Sequence, residues 1–425
     1  MELTTWTAPL SCERKGASPR FLQHAPAASA VPLTDTGYAA KRSILRPKWR
    51  CPTNIGGIVA RSVSEWRLSG KYRIRGFVPV AIGILLAVLS GILFGICFTP
   101  MRYMQAFAWE NTWFAWNFCA CLLMTPLIAW LTIPSALEVF REIGLQRNLI
   151  MLGVGLLSGC SGILFGLGLA RVGTTLVNSL CNGISLITGS FIPLIIQHHE
   201  ALAGRVGVSL LAGFVLSVIG VVVCARAGSL REEPSAYMGH HSHDRRAHRR
   251  IAIEGIVLSI AAGLLMPLVN LGLAFGDGLM QVARDYGASE AFVSFAVYVP
   301  FFAATFVSTA LYCGFRWTRN QSHRQFREPH SLRFLTMAAL IAALWMGGNT
   351  LYGWALPWMQ TYGPVLAWPI CLASCSIAAA LVECVYGDWK GKALFTLAAG
   401  LGILTGSIAT FGYASLLIQK MTTSP

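Results

Sequence analysis

Ten long apolar segments recur at nearly even intervals between Phe77 and Leu417, and they leave this chain few ways to fold. They lie near residues 77–98, 112–133, 149–170, 176–196, 206–225, 252–275, 291–313, 332–355, 363–384 and 393–417. A bilayer's hydrocarbon core is about 30 Å thick and an α-helix rises about 1.5 Å per residue, so about 20 apolar residues cross it. Each segment is therefore a predicted transmembrane helix. With 55% hydrophobic and only 12% charged residues, the composition argues against a soluble enzyme.

The expected fold class is all-α: a membrane protein of ten transmembrane helices arranged as two inverted five-helix repeats. The most polar interior stretch, residues 226–250, reads as a linker between a first repeat at 76–225 and a second at 251–417, with a short tail at 418–425. An odd number of crossings per half gives the halves opposite orientation, the plan of many transporters. The stretch Asp277 to Ser289 is too polar to cross and predicts a short interfacial helix. Residues 1–75 are basic, rich in Pro and Ala, and hold no apolar run long enough to span, so they read as a disordered extension. No secretory signal pattern opens the chain.

Charge bears on orientation. The formal net charge is +15, gathered in the tail and a few loops rather than on a face suited to nucleic acid. Basic residues collect in the connections after odd-numbered segments, which the positive-inside rule places in the cytoplasm. Arg61, Arg67, Lys71, Arg73 and Arg75, just before the first segment, pull the other way. Two readings reconcile this conflict. In one, the start is assigned too far upstream, since no Met lies between Met1 and Met101, and initiation falls near Val78 or Val80. In the other, the tail is real and the core inserts against its own loop bias.

Other clusters carry less. His240, His241, His243 and His248 stand among cationic arginines, a poor metal site, and no metal is expected. The cysteines lack ligand spacing; Cys97, Cys119, Cys121, Cys160, Cys181, Cys371 and Cys375 read as small buried hydrophobes. Glycines at 153, 155, 159, 162, 166 and 168 predict close helix packing, with backbone flexibility as the alternative.

The fourth segment is the most informative. Asn178, Asn182, Ser185 and Gly189 recur at i, i+4, i+7 and i+11, one face of a helix, in an otherwise apolar run. Amides are not left facing lipid tails, so this face predicts either a helix–helix contact or the lining of a polar site.

Several short motifs follow one another along the chain: Trp109-Glu110-Asn111-Thr112-Trp113, Gly166-Leu167-Gly168 with Arg171-Val172-Gly173, Gly183-Ile184-Ser185 with Gly189 and Pro193, and Arg226-Ala227-Gly228. In the second half they are Gly347-Gly348-Asn349, Tyr352-Gly353, Trp368-Pro369 and Gly387-Asp388-Trp389-Lys390. Together, over Gly76 to about Tyr413, they resemble the bacterial L-rhamnose/proton symporters of the drug/metabolite transporter superfamily. The resemblance implies a multi-pass protein of the bacterial inner membrane that imports a monosaccharide, L-rhamnose or a related deoxy sugar, by proton symport. No cofactor is implied beyond the proton gradient; the partners are the sugar and the lipid bilayer. One departure stands out: Gly162-Ile163-Leu164-Phe165 replaces polar Asn and Tyr of the family, which bears on the choice of sugar.

A sugar's hydroxyls both donate and accept, so its site calls for amides, hydroxyls and indole N–H groups. The candidates are Asn178, Asn182, Ser185, Asn270, Asn349, Tyr352 and Trp368, with Trp116 and Trp345 as aromatic candidates or interfacial anchors. Proton coupling calls for a buried carboxyl. Glu383, about one turn from the end of the ninth segment, reads as the most buried; Glu110 is the second candidate, and it and Glu254 have helix-start capping as the alternative role. The rival reading is an exporter or facilitator of another small neutral solute. A cation exporter usually carries an acid deep in the first segment, and Val78 to Phe98 has none.

Overall fold

Uncharged apolar runs become helices here because a helix satisfies every backbone N–H and C=O within the segment, the one requirement hydrocarbon imposes. The computed structural model describes residues 77–104, 106–172, 174–202, 204–230, 245–327, 331–387 and 389–423. The readings of residues 1–75, of the linker centre 231–244 and of the His248 side chain lie outside the described residues. Among the described residues, ten helices are long and apolar enough to cross a membrane, and there is no strand. They are α1 (Phe77–Ile96), α2 (Trp109–Thr132), α3 (Leu145–Val172), α4 (Thr174–Gln197) and α5 (Gly204–Ser229). There follow α6 (Arg245–Leu265, resumed as Leu268–Phe275), α7 (Phe295–Asn320), α8 (Ser331–Trp358), α9 (Gly363–Val385) and α10 (Gly391–Thr423).

Two departures from regular helix have local causes. Pro267 lacks the N–H that would continue α6, so the helix breaks there and restarts with Pro267 as its N-cap. Inside α2, Phe118–Met124 form a π-helical stretch, closed where Thr125 Oγ1 donates to the Ala120 carbonyl at 2.8 Å.

The helices pack in a recurrent pattern. The closest pairs are α5 with α10, α3 with α7, α1 with α8 and α9, and α6 with α3 and α4; α4 also packs on α9 and α5, α9 on α10, and α2 on α7 and α8. Glycine makes the tightest of these possible. Gly155 of α3 lies against the Phe301 carbonyl of α7, so that even a methyl would collide with it. The seam is then stitched by Thr305 Oγ1 to the Gly155 carbonyl at 3.0 Å and Ser308 Oγ to the Leu156 carbonyl at 2.8 Å. α7 and α9 are the most enclosed helices. α9 is thus positioned to carry a site.

The interfacial helix expected at Asp277–Ser289 is present as Asp277–Asp285. It packs against a second short helix, Ala136–Ile143, and Tyr286 donates to Glu142 at 2.8 Å. The described cysteines are free thiols; Cys97, Cys121, Cys181 and Cys371 are buried as expected, whereas Cys160 is exposed on the outer face of α3. Glu254 is not at a helix start: α6 begins at Arg245, and Glu254 pairs instead with Arg250 at 3.2 Å and Arg171 at 3.7 Å.

Candidate functional site

The polar face of α4 divides into two parts with different surroundings. At its N-terminal end, Asn178 and Asn182 line a small cavity of about 50 Å³, together with Cys224 of α5, Cys375, Ser376 and Glu383 of α9, and Trp389. The Asn182 amide donates to Ser376 Oγ at 3.2 Å, and Glu383 accepts the Trp389 indole N–H at 3.0 Å. A neutral amide pair, a hydroxyl and a carboxylate therefore meet in one place. Further along, Ser185 and Gly189 pack against α9. The Trp368 indole lies directly on the bare backbone of Gly189 and donates to the Ser185 carbonyl at 2.9 Å.

Asn270, Tyr352 and Trp368 come together at the opposite end, as a tie between helices. The fully buried Asn270 amide donates to the carbonyls of Gly189 at 2.9 Å and Pro364 at 3.1 Å, and its oxygen accepts the Tyr352 hydroxyl. Tyr352 in turn meets the Trp368 ring edge-on at 5.5 Å. Two residues that the sequence did not single out extend the closure. Gln197 donates to the Ala274 carbonyl at 3.0 Å, and His198 bonds the Thr361 carbonyl at 2.9 Å while stacking on Tyr362. Burial draws the His198 imidazole down from the ordinary histidine value. Asn349 stands apart, its amide donating to the Trp345 carbonyl one turn back at 2.9 Å and its own carbonyl accepting from Tyr298 at 3.0 Å.

The two carboxyl candidates exchange ranks. Glu383 is only partly buried, whereas the Glu110 side chain is 2% exposed. Its depth does not come from its position on α2. The last turns of α7 and the connection after it fold over it, giving hydrogen bonds from Asn320 at 2.9 Å and Ser322 at 2.6 Å, with Arg316 at 3.9 Å. Asn111 beside it is held by the same two pieces, through Trp317 of α7 and the Ser322 carbonyl and Gln325 of the connection. Glu110 is therefore built into a fixed junction, while Glu383 faces the cavity.

A larger cleft, of about 400 Å³, lies between α1, α2 and α8. Its walls are Leu93, Met124, Ile128, Ala343, Met346, Gly347 and Leu351, and the hydroxyl of its single polar side chain, Thr350, already donates to the Met346 carbonyl. Such a cleft offers a polyol little beyond one hydroxyl acceptor.

The model of the L-rhamnose-proton symport protein family matches residues 77–415, all ten helices almost end to end. The chain belongs to this family. Curated L-rhamnose-proton symporters of Salmonella typhimurium, Salmonella newport and Salmonella enteritidis are each 20% identical to it over 348 residues, covering 79% of this chain and 99% of theirs. Membership together with ten membrane-spanning helices makes it a multi-pass integral membrane protein of a transporter family rather than an enzyme, consistent with the bacterial inner membrane. Within the family frame, Asn178, Asn182 and Glu383 are this symporter-family chain's polar groups around the cavity, and Asn270, Tyr352 and Trp368 its sealed end. Ser376 and Trp389 line the cavity as well. Only Trp389 carried a sequence signal, the Gly387-Asp388-Trp389-Lys390 motif.

Proposed function

We propose that this protein imports a neutral monosaccharide, L-rhamnose or a related deoxy sugar, by proton symport. The family match over the whole ten-helix core carries this reading, and the polar lining of the α4–α9 cavity supports it. Asn178, Asn182 and Ser376 provide neutral donors and acceptors suited to hydroxyls, and Ser185 adds a buried hydroxyl without a partner. Glu383, in the same cavity, is the group assigned to carry the proton. Glu110 is its alternative.

At about 50 Å³ the cavity is well short of the roughly 300 Å³ at which small-molecule pockets begin. The sugar therefore enters only when α4 and α9 part around it. The inverted-repeat plan offers a route for that movement. Exchanging helices one to five with six to ten maps the packing pairs onto one another: α1–α8 onto α6–α3, α1–α9 onto α6–α4, α4–α5 onto α9–α10, and α5–α10 onto itself. In an alternating-access cycle the Asn270–Tyr352–Trp368 end is the closed gate, and the cavity end is the one poised to open.

The test is transport in proteoliposomes. Labelled L-rhamnose, or another member of a panel of neutral monosaccharides, should accumulate under an imposed pH gradient and lose that accumulation when a protonophore is added. Asn182→Leu should remove sugar binding from a folded protein, and Glu383→Gln should keep counterflow but lose uphill accumulation. Accumulation indifferent to the protonophore would replace symport with another energy source.

A further inference from the structure

Three tryptophans on α2, Trp109, Trp113 and Trp116, follow one another at i, i+4 and i+7, and the buried indole N–H of each has no hydrogen-bond partner. Trp113 and Trp116 are 3% and 5% exposed. A buried donor left unpaired costs about 1–3 kcal/mol, and phenylalanine would pack in the same places without that cost. Three such donors on one helix face need a physical reason.

Their surroundings narrow it. Trp113 is stacked with Trp109 at 5.1 Å and with Phe98 at 6.0 Å, while Trp116 meets Phe98 and Trp113 edge-on at 5.4 and 5.5 Å. With ring faces occupied by one another, this is not a cage for a cation, which would seek those faces. What remains available is the N–H edge. For two of the rings that edge looks at α3 where it has no side chain: a Cβ at Gly162 would lie 3.8 Å from Trp113 Nε1, and one at Gly166 would lie 3.0 Å from Trp109 Nε1. The adjacent carboxylate, Glu110, is turned away and held by Asn320 and Ser322. The cluster thus presents donors only, beside an apolar wall, with no protein acceptor within reach. A ligand that complements it brings neutral acceptor oxygens on a compact body with apolar C–H faces, which is the description of a monosaccharide.

We propose that the N–H edge of Trp109, Trp113 and Trp116 is a second sugar-contact site, separate from the α4–α9 cavity, at which hydroxyl or ring oxygens of the substrate accept the indole hydrogens. The assignment rests on the sugar-transport reading above and adds to it residues of α2 that hold the sugar. The site forms when α2 and α3 separate enough for the substrate to pass between the indoles and the glycine backbone.

The experiment compares purified wild type with Trp109→Phe, Trp113→Phe and Trp116→Phe, which keep a ring and remove the donor. Binding of labelled L-rhamnose, and of a panel of neutral monosaccharides, is measured beside the thermal midpoint without ligand. Each variant should bind the sugar roughly three- to tenfold more weakly, the worth of one hydrogen bond, while a cooperative ligand-free transition shows that it is folded. A fourth variant guards against a folding artefact. Gly162→Ser supplies a hydroxyl acceptor opposite Trp113, and it should raise the midpoint and weaken sugar binding. Unchanged affinity in all four variants, with the wild type binding and Asn182→Leu not, would overturn this assignment and leave the cavity reading standing. A wild type that binds no sugar of the panel would overturn both.

Discussion

Asn270 uses its whole side-chain amide to join four helices: it stands on α6, donates to α4 and α9, and accepts from α8. No water competes at a residue that is fully buried. Asn270→Leu would leave the Tyr352 hydroxyl and two backbone carbonyls without this partner, a loss of about 2 kcal/mol or more. The expected outcome is a lowered thermal midpoint in detergent together with greater accessibility of that end to thiol reagents, read on a cysteine placed at the buried Ala274. An unchanged midpoint and an unreactive cysteine would show that the tie does not hold the gate. The sequence could single out Asn182 and Asn270 alike as amides in apolar runs. It could not tell that one ties helices while the other lines a cavity, because that depends on which helix faces each of them. Glu383 and Glu110 show the same limit. Distance from a segment's end made Glu383 the deeper acid, but burial of Glu110 is created by residues about 210 positions later in the chain.

At the level of the helix, α3 shows how far a run of glycines can be read. Their number announced close packing, and Gly155 and Gly159 do meet α7, Gly166 meets α2, and Gly168 meets α6. Gly153 touches nothing. This difference is invisible in a sequence where all are glycine, and it makes a sharp prediction. Gly155→Ala should destabilise by about 1–3 kcal/mol, because its methyl meets the rigid backbone of Phe301 and neither helix can yield without the other. Gly153→Ala should be neutral or stabilising by up to about 1 kcal/mol, since alanine favours the helix and meets no neighbour. Thermal midpoints of the two variants in one detergent decide it, and equal values would refute the packing account. The α6 start was misplaced for a related reason. Arg245 to Arg250 are too polar for hydrocarbon, so hydropathy ended the segment there, yet the helix continues outward in a medium where polarity is no penalty.

For the molecule as a whole, ten crossings put Arg102, Arg171, Arg250, Arg316, Arg319, Arg324, Arg327, Lys390 and Lys392 on one side, and only Arg141, Arg147, Arg205, Arg284 and Lys420 among the described basic residues near the other. The positive-inside rule then sets the cavity of Asn178, Asn182 and Glu383 towards the cytoplasm and the Asn270 tie towards the opposite face. Single cysteines at Gln321 and Ser289 in a background without other reactive thiols should divide accordingly: in intact cells an impermeant thiol reagent should label only the one at Ser289. Labelling only at Gln321 would invert the molecule. The number of helices was legible because hydropathy is a local property. Their partners were not, since helices with similar apolar surfaces are told apart only by small residues and a few hydrogen bonds. Those partners carry one more implication. Apart from neighbours in the chain, the strongest pairs join a helix before residue 230 to one after residue 245: α5 to α10, α3 to α7, α1 to α8 and α9, α6 to α3. Neither group of five has a core of its own; each is a template that the other completes. The apolar surface of each group is covered largely by the other, so drawing the two apart would expose both at once.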